Sequence, residues 1–115
     1  MAETATKSPQ KQVSHGIVAI YKNYIGRGPT TVRTTITDDV CLTVVQESLI
    51  KAEQSLVESG EAELVREMRR KFQFAMREDI KALVEEVTGR KAQAFLSDHD
   101  TSPDVAVEMI VFAPR

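Results

Sequence analysis

The sequence predicts an α+β domain of two layers. A four-stranded, mainly antiparallel sheet carries three helices on one face, in the order α-β-β-α-α-β-β, and one of the helices is long. Three observations carry this. The stretch Glu61–Thr88 holds no Gly or Pro, and its apolar residues recur in steps of three and four. Residues 30–46, 91–97 and 105–112 show period-two alternation instead, with β-branched side chains dominant in 30–46. Turn formers separate these stretches: Gly26-Arg27-Gly28-Pro29, Asp38-Asp39, Gly60 and Gly89. At 115 residues the chain suits one domain, expected over 8–115, with 1–7 as a polar, disordered tail.

Ser8-Pro9 starts the first helix, with Ser as N-cap and Pro where its missing N–H costs nothing. Val13, Ile17, Ile20, Tyr21 and Tyr24 form its buried stripe, and Gly16 beside that stripe suggests a close helix contact. His15 lies off the stripe and is expected at the surface. Gly26 ends the helix and Gly28-Pro29 enforces the stop. Thr30–Gln46 reads as a β-hairpin. A three-residue loop, Thr37-Asp38-Asp39, would pair Ile36 with Val40 and unite the apolar sets of both strands, leaving Cys41 facing away from the core and Asp39 near the left-handed region.

A short helix is expected over 48–58, with Leu49, Ala52 and Leu56 inward and Gly60 as its stop. The long helix follows. Leu64, Val65, Met68, Phe72, Met76, Ile80, Leu83, Val84 and Val87 make one broad stripe. At ~1.5 Å per residue it would reach about 40 Å, against a radius of gyration near 13 Å for a ~100-residue domain. It must therefore cross the sheet diagonally or overhang. A strand over 91–97 and a final strand over 105–112 complete the sheet. The last strand is apolar on both faces, which places it centrally or at a subunit interface.

Composition excludes several function classes. The net charge of −2 supplies no basic field for nucleic acid. The single cysteine, Cys41, cannot form an intrachain disulfide, and no Cys/His cluster offers a zinc site, so neither metal nor cofactor is expected. No apolar run approaches the ~20 residues that cross a bilayer, and the N-terminus lacks the apolar centre of a signal peptide. A cytoplasmic location and no direct membrane insertion are expected.

Two polar segments, both read as loops, hold the candidate ligand or partner residues. In Gly26-Arg27-Gly28-Pro29 two glycines flank a cationic arm, which suits an anion or reads as a helix cap and turn. Ser97-Asp98-His99-Asp100 is the one concentration of acid–base groups, although no nucleophile or electrophile accompanies it. Catalytic residues are therefore not assigned, and no enzyme activity is expected. On the long helix Arg66, Arg69 and Arg70 are candidates for a partner-binding face, set among Glu67, Glu78 and Asp79.

Several motifs together resemble a bacterial family first described as a domain of unknown function and named MpsC-like, after a proposed sodium-translocating, membrane-potential-generating system. They are Ile17-Val-Ala-Ile-Tyr-Lys-Asn-Tyr-Ile-Gly-Arg-Gly-Pro29, Asp38-Asp39, Glu63-Leu-Val-Arg-Glu-Met-Arg-Arg70, Val84-Glu-Glu-Val-Thr-Gly89 and Ser97-Asp98. The chain departs from the family at Leu49-Ile50-Lys51-Ala52-Glu53, where relatives carry a Thr N-cap and Pro, and at His99, where many carry an apolar residue. The resemblance implies a cytoplasmic accessory protein linked to ion or inorganic-carbon transport, with a membrane-transport protein as partner. It draws attention to Arg27 and Asp98, which would pair or frame one small-ligand site if their segments meet. The long helix and the two-faced last strand predict a homodimer.

Overall fold

The computed structural model describes residues 7–115; the expected tail falls mostly on residues 1–6, outside the described residues. The elements are α1 (Pro9–Ile25), β1 (Thr31–Ile36), β2 (Val40–Gln46), α2 (Lys51–Glu58), α3 (Ala62–Thr88), β3 (Ala92–Thr101) and β4 (Asp104–Phe112). The sheet is antiparallel throughout, in the order β1-β2-β4-β3. The doubly apolar β4 thus takes an interior position, as its composition requires.

Ser8 caps α1 by accepting the Lys11 amide at 3.2 Å, and Gly26 closes it at φ 93°. α1 and α3 pack on one face of the sheet. Val13, Ile17 and Tyr21 of α1 and Met76, Ile80 and Val84 of α3 share a core with Cys41, Val45, Ala106, Ile110 and Phe112. Gly16 sits where these helices approach. A Cβ there would stand 2.5 Å from Leu83 Cδ1 and Cδ2, so the close contact expected of this glycine is present. α3 has 27 residues, and the domain measures 46 Å along its longest axis. Its buried positions run from Val65 to Val84, so the helix is covered along most of its length.

Four local expectations are overturned. The first hairpin pairs Ile36 with Cys41, and Thr37 N donates to Val40 O at 2.8 Å, so the loop is the two residues Asp38-Asp39. Thr37 Oγ1 holds it by accepting the Asp39 and Val40 amides at 3.1 Å each. Cys41 is therefore in the core, and Asp39 is not in the left-handed region, whose one non-glycine occupant among the described residues is Glu47. The parity argument assumed one apolar face, whereas this sheet is apolar on both.

Next, residues 97–101 continue β3. Ser97, His99 and Thr101 alternate inward while Asp98 and Asp100 point out. A register shift between Ala92 and Ala94 turns Ala92 inward with Phe95, away from the Ala94 and Leu96 face. The short helix begins only at Lys51. Ala52 is exposed, and Glu53 is buried in its place. Finally, the first half of the α3 stripe is rotated: Leu64 is 50% exposed, while Arg69 and Gln73 are buried between Val65 and Met76.

Candidate functional site

The helix-covered face of the sheet encloses a polar cluster where α3 crosses β4 and β3. Arg69 is 1% exposed. Its Nε and Nη2 donate to Glu53 Oε2 and Oε1 at 2.9 and 2.7 Å, and its Nη1 and Nη2 donate to Ser48 Oγ and O at 3.2 and 2.6 Å. This fork-on-fork pair ties the start of α2 to the middle of α3. Glu53 Oε1 also accepts the Ile50 amide at 2.9 Å, so this carboxylate closes the N-terminus of α2, where Ile50 offers no capping side chain. Arg69 therefore cannot be a partner-face residue. Burial of a guanidinium demands the carboxylate and oxygen acceptors it finds inside.

Deeper in the cluster, Glu108 Oε2 accepts from Tyr21 Oη at 2.5 Å and from Gln73 Nε2 at 3.1 Å. Burial pushes the Glu108 carboxyl up to about 7, against the pull of Tyr21, Gln73 and Arg69. Burial and the adjacent Glu108 raise the Tyr21 phenol in turn. Three buried atoms here have no hydrogen-bond partner: Glu108 Oε1, Gln73 Oε1 and His99 Nδ1. A proton on Glu108 would turn Oε1 into a donor, which is the chemistry this orphaned set invites.

His99 Nε2 meets Asp104 Oδ1 at 2.7 Å, and Asp104 Oδ2 accepts the Leu49 amide at 2.8 Å. Burial alone would raise the Asp104 carboxyl. The His99 hydrogen bond and the Leu49 amide outweigh it and hold the group below its usual range. Arg27 Nη1 donates to Leu49 O at 2.6 Å. The peptide groups of Leu49 thus connect Arg27 to Asp104 and His99 across the end of the sheet.

The two segments singled out in the sequence do not touch directly and are linked only through Leu49 and Asp104. Gly26, Arg27, Gly28 and Pro29 lead into the edge strand β1, whereas Ser97, Asp98 and His99 belong to the opposite edge strand β3. Asp98 does not pair with Arg27. It faces Arg66 Nη2 at 3.4 Å and Arg70 Nε at 3.9 Å. The His99 amide, assisted by Arg66 and Arg70, lowers the Asp98 carboxyl against a modest opposing effect of burial. Gln73 Nε2 donates to Asp98 O at 3.0 Å, satisfying a carbonyl of the edge strand. A groove of about 400 Å³ borders Arg66, Asp98 and Val107. A second, of similar size, lies between Arg70, Phe74, Arg77, Phe95, Leu96 and Ser97.

Sequence reasoning missed Tyr21, Ser48, Glu53, Gln73 and Glu108 as members of one cluster. A signal was present. Arg69 and Gln73 stand four apart, in line with Val65 and Met76, so the helix stripe passes through two polar residues. Glu108 likewise interrupts a strand that is otherwise apolar on both faces.

The other face of the sheet is the reverse. Val40, Leu42 and Val44 of β2, Val105, Val107, Met109 and Val111 of β4, and Ala94 and Leu96 of β3 point away from both long helices. Among the described residues no group of three or more His, Cys, Asp or Glu side chains is arranged to hold a metal, and no helix is long and apolar enough to cross a membrane.

The chain is thus a small α+β domain in which Glu53, Arg69, His99 and Glu108 are buried beneath the helices, while the opposite face of the sheet is apolar. The family model described as "Na+-translocating membrane potential-generating system (MpsC)" matches residues 5–114, and the chain belongs to the MpsC family. Searches of curated proteins and of solved structures find no match.

Proposed function

We propose that this chain is a non-catalytic accessory or regulatory component of a membrane-potential-generating system, acting from the cytoplasmic side through protein contacts with a transport partner. The family's description supports the link to ion translocation, and the connection extends to inorganic-carbon transport on the resemblance alone. The observation that carries the contact reading is the surface along α3 and the edge of β3. Phe74 is 68% exposed and Leu96 51%. The Arg77 guanidinium lies 4.7 Å from the centroid of the Phe74 ring, and Arg70 lines the same groove. Exposed aromatic and arginine side chains around an apolar groove are the composition of interface hot spots. Of the three arginines proposed from sequence, this reading draws on Arg70, which lines the groove, while Arg69 is buried.

The test is co-purification from membranes of the native cell, followed by binding to the purified transport subunit. The wild-type chain retains that subunit, and Phe74→Ala with Arg70→Ala loses at least tenfold in affinity, as truncated hot spots do at ~2 kcal/mol or more. Equal retention by the double variant removes this surface from the account.

A second reading, a small-ligand or anion-binding domain, draws on the groove beside Arg66 and Arg70. A thermal-shift screen separates the two. An anion at about 100 times its Kd would stabilise the fold by ~2.7 kcal/mol, and the contact reading expects no such shift.

A further inference from the structure

The bare face of the sheet carries its own instructions for a partner. Its outward residues form rows across the strands in the order β1, β2, β4, β3. One row is Thr35, Leu42, Met109, Leu96; the next is Arg33, Val44, Val107, Asp98. The second row therefore begins with a cation, ends with an anion and is apolar between them. Arg33 is exposed and makes no hydrogen bond or ion pair among the described residues. Asp98 keeps a side-chain exposure of 53%, and its arginine contacts are no shorter than 3.4 Å. Asp100, one row further on the same edge, has no ion pair among the described residues.

We propose that this face binds a second copy of the chain, sheet to sheet, about a two-fold axis parallel to the strands. This deepens the protein-contact reading, and the face adjoins the α3 groove at β3, where Leu96 borders both. The argument is geometric. Rotation about an axis that runs between β2 and β4 along the strands places β1 of one copy over β3 of the other, and β2 over β4, without moving any row along the strand direction. Arg33 of each copy then faces Asp98 of its partner. Val44 lies over Val107, and Leu42 over Met109. An axis across the strands instead brings β1 over β1 and offers Arg33 no carboxylate on the facing strand. Only the first arrangement is self-complementary in both charge and hydropathy. Stacked sheets align within about 30° of each other at roughly 10 Å separation, which suits side chains of this size.

The area is sufficient for a modest interface. Four strands at about 4.8 Å spacing, over the seven residues of β2 at ~3.3 Å each, give a footprint of roughly 450 Å² per copy. The pair therefore buries on the order of 1,000 Å², at the lower limit of specific association and in the range of weak, transient complexes.

The test is sedimentation velocity of the full chain up to about 50 µM, a concentration suited to weak complexes. The wild type sediments as a monomer–dimer equilibrium whose average mass rises with concentration above the 12.8 kDa chain mass. Arg33→Asp and Asp98→Arg each weaken self-association about tenfold or more, because each reverses two pairs per dimer. An equimolar mixture of the two variants recovers the dimer, since in the mixed pair each reversed charge meets its opposite. Arg33→Asp disturbs no contact within the chain, so its readout stands even if Asp98→Arg folds poorly. In that case Val107→Asp at the centre of the face serves as the second variant and leaves only monomer. A wild type that is monomeric at about 50 µM overturns the proposal, whether or not another protein or a lipid surface then takes the face. So does a dimer unaffected by Arg33→Asp. The transport-partner pull-down is untouched by either result, so the two readings fail separately.

Discussion

The two faces of one four-stranded sheet differ in a direction opposite to intuition. The face covered by α1 and α3 holds Thr34, Thr43, His99 and Glu108, and it meets Ser14, Tyr21, Arg69 and Gln73 from the helices. The bare face holds valines, leucines and a methionine in its two central strands. Covered polar groups survive because they answer one another: Thr34 Oγ1 lies 2.8 Å from Ser14 Oγ and 3.0 Å from Thr43 Oγ1, and Arg69 has four acceptor contacts. Each such group is costly alone and tolerable in company. The bare face has no such network. Its side chains pack only against one another and stay partly exposed. The inner network fixes how α2, α3 and the sheet sit, and the outer face plays no such part.

The sharpest way to break the comparison is to remove one member of the buried ion pair. Arg69→Leu leaves Glu53 charged and unpaired and frees the oxygens of Ser48. A loss of about 3–5 kcal/mol is expected in a urea titration. The double change Arg69→Leu with Glu53→Leu recovers much of it, because paired removal of buried charges is far less costly than single removal. A single variant as stable as wild type would mean that water reaches this cluster.

A smaller effect comes from Glu108. Its carboxyl is raised from 4.5 to about 7 in the folded chain, so the folded state binds the proton more tightly than the unfolded one. Stability from this group is complete below about pH 4.5 and is lost as pH rises through about 7. Glu108→Gln should flatten that fall. Relative to wild type, it gains roughly 2–3 kcal/mol at pH 8 over its standing at pH 5, by 1.36 kcal/mol per pKa unit. Asp104 has the opposite sign. Its carboxyl is depressed, so its contribution is present above the ordinary carboxylate range and lost in acid as pH falls through its lowered folded value. Chemical denaturation at several pH values checks both slopes.

The smallest effect is expected on the bare face. Met109 is only partly exposed, so Met109→Gln should cost the monomer about 1 kcal/mol at high dilution. The same substitution should weaken self-association several-fold. A large loss of monomer stability would show that Met109 is already packed within its own chain.

How far these features were legible in the sequence follows the same divide. Element order and sheet type were readable because apolar period and turn chemistry agree along the chain: Ser8-Pro9 starts α1, Gly26 and Gly89 end α1 and α3, and β4 is interior because it is apolar on both sides. Close packing at Gly16 was readable for the same local reason. The polar cluster was not. Arg69 with Glu53, and Tyr21 with Glu108, are joined across 16 and 87 residues, and no local pattern reports such a partner. An arginine on a helix reads as solvated until its carboxylate is placed. Likewise, 97–101 reads as a loop because Ser, Asp and His favour turns, and only β4 alongside shows it to be a strand. Glu85 illustrates the point at small scale. It opposes the helix dipole at the end of α3, yet its Oε2 accepts the Ala92 amide at 2.7 Å and anchors the entry to β3.

The central claim, that the bare face of the sheet is an interface between two copies with aligned strand axes, is tested most directly by isotope-filtered methyl NMR on a mixture of labelled and unlabelled chains. The filter removes contacts within one copy, so the adjacency of Leu42 and Met109 inside each sheet does not contribute. The predicted result is intermolecular contact between Leu42 and Met109, and between Val44 and Val107, with none from the Val13 or Ile80 methyls of the covered face. Intermolecular contacts that join Leu42 to Leu42 without reaching Met109, or none at all, would contradict it.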